Sequence, residues 1–221
     1  MNIQVAKWTK KKISWTISIL LFIGFLLFAW RASVVRLTKN FYEVDPGKFY
    51  RSAQLYPDEL EEVVKKYGIK TVISLRGAPQ NSYWVPGQIE TLKKLNVDFV
   101  PISWTSHYFP HKEDLQAFIK TLKDAPRPIL VHCRSGADRT GEASAIYEIE
   151  FMGKPKEQAI EDQLSFKYWH LENSHPAKKA LVRAYEGMDW ALNKYDHCAP
   201  EYVKWAEEGH CPNTTQRPEN K

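Results

Sequence analysis

One junction constrains this chain more than any other. Pro128-Ile-Leu-Val-His132 is apolar and partly β-branched, and it runs through Cys133-Arg134-Ser135-Gly136-Ala137-Asp138-Arg139-Thr140-Gly141 into the helix-forming run GEASAIYEIEF. A segment apolar on both faces suits a strand buried on both sides, as in parallel sheets covered by helices. IKTVISL (69–75) is a second such segment. It follows PDELEEVVKKYG, where early acids, late lysines and a terminal glycine mark a helix. Strands alternating with helices require crossovers, so the expected fold is α/β: a parallel-rich central sheet flanked by helices. A hairpin is expected over 40–52 around Asp45-Pro46-Gly47, and a short strand over 98–102. Helices are expected near 57–68, 89–96 and 112–123, and then over about 140–152, 155–165 and 177–194.

The loop from Cys133 to Arg139 has the composition of an oxyanion cradle. It lies at the carboxyl end of a strand, where open α/β sheets place ligands, and at a helix N-terminus with free N–H groups and partial positive charge. Five residues separate Cys133 from Arg139, enough for the amides of Arg134, Ser135, Gly136, Ala137 and Asp138 to curl around one anion, with Gly136 relieving the steric limit. Cys133 beside a helix N-terminus and a guanidinium is in surroundings that favour the thiolate. Arg139 can grip two oxygens of a phosphate bidentately, as lysine cannot. Thr140 can donate its hydroxyl to the sulfur, and His132 can brace the loop from behind. This set fits in-line attack on phosphorus and a phosphocysteine intermediate. A buried structural cysteine before an ordinary helix would not explain Gly136, Arg139 and Thr140 together.

The N-terminal segment reads differently. From Ile13 to Trp30 there is no charged residue, and as a helix these residues would span about 27 Å, near the hydrocarbon thickness of a bilayer. Three lysines precede it and Trp30-Arg31 closes it, as an interfacial anchor would. A cleaved signal peptide is the rival reading, but Ala32 has Trp30 two positions before it, against the small-residue pattern that cleavage needs. The expected layout is a basic segment over 1–12, a transmembrane anchor over 13–30, a linker over 31–39, a catalytic domain over 40–197 and a tail over 198–221. The net charge of +5 does not point to nucleic acid. Residues 1–39 hold seven basic residues and no acid; taking those seven from 31 Lys and Arg leaves 24 against 26 Asp and Glu. The basic flank before the span favours a cytoplasmic N-terminus, with the domain outside.

Of the three cysteines, Cys198 and Cys211 lie close together in a polar segment and can pair in an oxidising compartment. Zinc is the alternative, with His197 and His210 preceding them, but the spacing matches no common finger. No metal and no cofactor are expected. Cys133 is then an unpaired thiol kept where thiols tend to oxidise, which asks for a chemical reason. Asn213-Thr-Thr is a glycosylation sequon by pattern only.

HCRSGADRTG resembles the HCxxGxxRTG signature of the protein-tyrosine-phosphatase superfamily, in its dual-specificity-like branch, and the resemblance extends over about residues 40–195. NFYEVDPGKFYRSAQL and IKTVISLRG are similar to the opening hairpin and first buried strand of small bacterial and fungal members. Exported bacterial enzymes, with a hydrophobic N-terminal segment and a C-terminal cysteine pair, are closest in layout. The resemblance implies a metal-free phosphomonoester hydrolase in a bacterial inner membrane with a periplasmic domain. Its implied substrates are phosphorylated protein, inositol phosphate or phosphoinositide. The sequence departs from the family at the general acid, usually an aspartate some 25–35 residues before the cysteine. Here PISWTSHYFPH (101–111) holds no acid. The candidates are Asp138 inside the loop, as in myotubularin-type enzymes, then His107, and last Glu113 and Asp114, which suit a helix cap better. Arg134 and Arg76 could line the pocket or be solvated; Trp104, Tyr108 and Phe109 could wall it or pack the core, and Tyr168-Trp169-His170 is expected to pack the helical region. A non-catalytic phosphate-binding module and a rhodanese-like sulfurtransferase are the rival functions.

Overall fold

The structure, a computed structural model, describes residues 2–211, with side chains from Trp15 onward. The sequon at Asn213 and the end of the tail lie outside the described residues. The chain divides into two compact units, Met1–Thr38 and Lys39–Lys221. The first is a single helix, α1 (Asn2–Leu37). Its stretch Trp15–Leu37, of mean hydropathy 2.1, is long and apolar enough to cross a membrane. The linker expected from residue 31 is therefore helical as far as Leu37. Residues 31–37 (RASVVRL) contain no glycine or proline to stop the helix, and the helical path ends where Lys39 and Asn40 both take φ 51°.

The second unit is a three-layer α/β fold. Its elements are β1 (Tyr42–Asp45), β2 (Phe49–Ser52), α2 (Pro57–Tyr67), β3 (Thr71–Ser74), α3 (Val85–Lys94) and β4 (Asp98–Pro101), followed by α4 (Lys112–Asp124), β5 (Ile129–His132), α5 (Asp138–Met152), α6 (Lys156–Gln163) and α7 (Pro176–Ala184). The sheet order is β1-β2-β5-β3-β4. β1 pairs antiparallel with β2 through the Pro-Gly hairpin, and β2, β5, β3 and β4 run parallel. β5 is central, with Ser52 and Ser74 flanking His132 on either side.

Alternation along the strands sorts the core into two layers. Phe49, Ile73, Ile129 and Val131 face a cluster built with Leu115, Phe118 and Leu122 of α4, Ile146 and Tyr147 of α5, and Leu181 of α7. Tyr50, Val72 and Leu130 face the other side, against Leu60 and Val64 of α2 and Leu92 of α3. The helix expected over 177–194 stops at Ala184, where Tyr185 turns extended at ψ 124° and Gly187 follows at φ 100°, and a separate helical turn comes at Trp190–Lys194. The helix expected from 89 begins at Val85, since Pro86 is tolerated in a first turn. Residues 198–211 belong to the same compact unit, and Cys198 and Cys211 are joined as a disulfide with Cα atoms 5.4 Å apart.

Candidate functional site

β5 ends at His132 and α5 begins at Asp138, so residues 133–137 are the whole turn between a central strand and a helix N-terminus. Cys133 is a free cysteine, 2% exposed. Gly136 takes φ 69°, and a Cβ there would lie 2.6 Å from the Ala53 nitrogen, so both backbone and neighbours require glycine. Gly141 is equally constrained: a Cβ would lie 2.7 Å from the Gln163 carbonyl oxygen, where α5 meets the end of α6.

The loop carbonyls are held from outside. The Gln54 N–H donates to the Arg134 carbonyl at 3.3 Å. Asn40 Nδ2 donates to the Ser135 carbonyl at 3.1 Å, and Arg51 Nη2 donates to the carbonyls of Gly136 at 2.6 Å and Ala137 at 3.5 Å. In a planar trans peptide each C=O opposes the following N–H. Four carbonyls drawn outward therefore turn the amides of Ser135, Gly136, Ala137 and Asp138 to the inner side of the loop, as an anion cradle needs.

Arg51 is the strut of this arrangement and is fully buried. Its guanidinium also donates to the Gln163 side chain at 2.6 Å and stacks on the Tyr168 ring at 3.7 Å. Burial pushes its pKa down to about 10, opposed by Tyr168 and then Cys133, so it remains a cation at neutral pH. Arg139 is oriented by backbone: Nη1 donates to the carbonyls of Leu75 and Trp104, each at 3.1 Å. That fixes one edge of the fork and leaves Nε and Nη2 as the pair for a bidentate oxyanion contact. Arg76 stacks over Trp84 at 4.2 Å and donates to Gln54 Oε1 at 3.0 Å. Its pKa is lowered first by burial, then by the charges of Arg139 and Arg134. Arg134 itself is exposed. These mutually repelling cations gather where Cys133 follows the end of β5, a setting that favours an anionic occupant.

Behind the loop, Gln54 Nε2 donates to Gln88 Oε1 at 3.2 Å, and Gln88 Nε2 lies 2.7 Å from His132 Nε2. The chain of donors makes that imidazole nitrogen an acceptor. Burial, with Arg76 and Arg139 nearby, pushes the His132 pKa down to about 4, so it is a neutral brace. The Thr140 hydroxyl, expected to reach the sulfur, instead donates to the Ser52 carbonyl at 3.5 Å.

The two leading acid candidates fall into one cluster. Asp138 Oδ1 lies 2.7 Å from His170 Nδ1 and 3.5 Å from His175 Nδ1. The His175 ring in turn stacks on His107 at 4.6 Å. His107 is exposed and His170 is buried. His175 is lowered from its ordinary value, first by burial; Asp138 opposes that, and His107 and His170 reinforce it. Glu113 and Asp114 fall in the first turn of α4. Trp104 and Phe109 are core residues, and Trp104 packs edge-on against Phe118 at 4.9 Å. Buried Lys178 donates to Glu142 at 3.1 Å and to the Tyr108 carbonyl at 2.8 Å, tying the segment that carries His107 to α5 and α7.

Sequence reasoning did not single out Asn40, Arg51, His170 or His175. Asn40 and Arg51 lie inside NFYEVDPGKFYRSAQL; Arg51 stands on the all-buried strand β2, and that burial is visible only in the structure. His170, assigned above to packing, is 32 residues from its aspartate, and no spacing marks it.

The family model described as "DSP-PTPase phosphatase fused to NAD+ Kinase" matches residues 32–179. No curated protein resembles the chain at a significant level. Among solved structures, TpbA of P. aeruginosa is similar at 23% identity and a TM-score of 0.54, over 70% of this chain and 89% of that one. A variant of TpbA is solved with phosphotyrosine bound, at 22% identity and TM-score 0.54, over 72% and 93% of the two chains. The core catalytic domain of the PP-IP phosphatase Siw14 of S. cerevisiae is similar at 16% identity and TM-score 0.55, over 66% and 85%. At these identities the likeness is one of fold.

Proposed function

This chain belongs to the DSP-PTPase family whose model describes a phosphatase fused to NAD+ kinase, and we propose that it hydrolyses phosphomonoesters through a covalent phosphocysteine at Cys133. The observation that carries this reading is the loop itself. Four consecutive carbonyls are drawn outward by Gln54, Asn40 and Arg51, above a buried thiol and beside an arginine held by two carbonyls.

In the first step the Cys133 thiolate attacks phosphorus in line. The S–P bond forms, the ester P–O bond breaks, and the leaving oxygen takes a proton from the acid. Arg139 and the amides of 135–138 stabilise the charge on the three equatorial oxygens. In the second step water attacks the phosphocysteine, gives its proton back to the same group, and releases phosphate and the thiolate. Asp138 is the leading acid. It enters at the first residue of α5, and His170 and His175 hold its carboxylate in place. His107, next in the same cluster, is the second candidate.

Phosphotyrosine-type or inositol-phosphate-type monoesters are the proposed substrates, supported by what TpbA binds and what Siw14 is named for. α1 anchors the enzyme in a bacterial inner membrane, with the catalytic unit on the periplasmic side. Cys133→Ser should abolish turnover of para-nitrophenyl phosphate while retaining phosphate binding; turnover equal to wild type would overturn the covalent mechanism. A panel of phosphotyrosine peptide, phosphoserine peptide and inositol phosphates ranks the substrates by kcat/KM. Digestion of the domain by protease added from the cytoplasmic side would overturn the topology.

A further inference from the structure

A second group of histidines lies away from the phosphate loop. His111 precedes α4, directly after the segment that carries His107, while Glu207 and His210 lie on the disulfide-closed tail. Glu207 Oε2 is 4.0 Å from His111 Nε2 and 3.8 Å from His210 Nδ1, and donor atoms of the three residues lie within 4.8 Å of one another. The His111 ring stacks on His197 at 4.9 Å and lies tilted against His210 at 4.9 Å. His111 Nε2 is shut off from solvent and has no hydrogen-bond partner. The oxidised cysteines are excluded as ligands, and His197 Nδ1 accepts the Lys112 N–H at 3.2 Å. What remains is two imidazole nitrogens and one carboxylate oxygen.

We propose that His111, Glu207 and His210 form a binding site for one divalent transition-metal ion of the zinc class, clasping the tail to the segment that follows the phosphate-loop supports. The donor chemistry selects the ion: imidazole with a single carboxylate suits Zn²⁺, Co²⁺, Ni²⁺ or Cu²⁺, whereas Mg²⁺ and Ca²⁺ require mostly oxygen ligands. Tetrahedral metal–ligand bonds of about 2.1 Å place their donors about 3.4 Å apart. The carboxylate–imidazole separations of 4.0 and 3.8 Å must therefore close by about 0.6 and 0.4 Å, and the imidazole pair, within 4.8 Å, by at most about 1.4 Å. Three protein ligands leave a fourth position for water.

The clasp has a mechanical setting. The Phe109 N–H donates to the Trp205 carbonyl at 2.9 Å, and the Tyr195 hydroxyl donates to the Pro110 carbonyl at 2.6 Å. Trp104, upstream in the same segment, supplies one of the carbonyls that orient Arg139. A metal here would stiffen the segment from its far end without entering the phosphate site.

The test uses the full-length chain in detergent, stripped with chelator and titrated with Zn²⁺ by calorimetry and with Co²⁺ by visible absorption. One equivalent is expected per chain, with a rise in the thermal midpoint that Mg²⁺ does not reproduce. His111→Ala and His210→Ala should each weaken binding at least about tenfold, and Glu207→Gln, at a half-exposed position, should do so without loss of fold. His175→Ala, in the other cluster, should leave the affinity unchanged. Absence of a saturable Zn²⁺ site, or a site indifferent to Glu207→Gln and His210→Ala, overturns the proposal.

Discussion

Six of the seven histidines fall into two groups of three, and the groups differ in what they surround. Near the phosphate loop, His107, His170 and His175 gather at Asp138, whose backbone is part of the cradle. At the tail, His111, His197 and His210 gather beside Glu207, which lies on the disulfide-closed loop. Both groups take one member from residues 101–111 and the others from the C-terminal third. In the first group the carboxylate is fixed by the fold and the histidines orient it, which suits proton transfer at a set place. In the second the carboxylate is half-exposed and lies 4.0 and 3.8 Å from two imidazole nitrogens, which suits an added cation. The same residue type suits different chemistry where its carboxylate partner is largely buried in one place and half-exposed in the other.

The sharpest way to break this contrast is to remove the fixed carboxylate. Asp138→Asn should lower kcat on an alkyl phosphate about 10²–10⁴-fold, and less on para-nitrophenyl phosphate, whose leaving group needs no proton. His107→Ala is the companion. If both variants stay within about threefold of wild type on both substrates, neither residue is the acid.

Dismantling the tail should act on the other cluster alone. Replacing Cys198 and Cys211 with serine opens a loop with a sequence separation of 13. The expected loss is about 3 kcal/mol of unfolding free energy, read by denaturant titration. Turnover at saturating substrate should remain within about twofold. A loss of turnover as large as that of Asp138→Asn would show that the two clusters act as one.

The fold was legible where the chain speaks locally. IKTVISL and PILVH gave their strands, the Pro-Gly turn gave the hairpin, and the junction after Cys133 gave the loop. The failures were local too: the turn over Tyr185 to Gly187 breaks a helix that periodicity alone would continue, and α1 runs on because nothing in RASVVRL stops it. What could not be read were pairings over long separations. Asn40 to Ser135, Arg51 to Gly136 and Asp138 to His170 each depend on the closed sheet and the returning helices.

Arg51 offers a smaller effect on the loop side. Arg51→Lys keeps the charge but cannot hold the Gly136 carbonyl and Gln163 together. A cradle whose carbonyls are no longer fixed should lose about 10²-fold in kcat/KM, with the fold retained by circular dichroism. Unchanged kcat/KM would reduce Arg51 to a packing residue.

The smallest effect tests whether Asp138 and His107 belong to one electrostatic unit. His175 lies between them and faces Asp138, His107, His170 and Lys178. Burial is the largest influence and lowers its pKa; Asp138 raises it, and the other three lower it. The folded value lies below that of an ordinary histidine, so protonation of His175 favours the unfolded chain. Its contribution to stability is present above about pH 6.5 and is lost as pH falls below that. Removing a neighbour should move the midpoint in a direction set by that neighbour's charge. Asp138→Asn should lower the His175 midpoint further, and His107→Ala should raise it, both read from the imidazole resonances in an NMR titration. Shifts of the same sign in both variants, or none in His107→Ala, would mean that the stacked rings do not share charge, and His107 would then lose its place in the proton path.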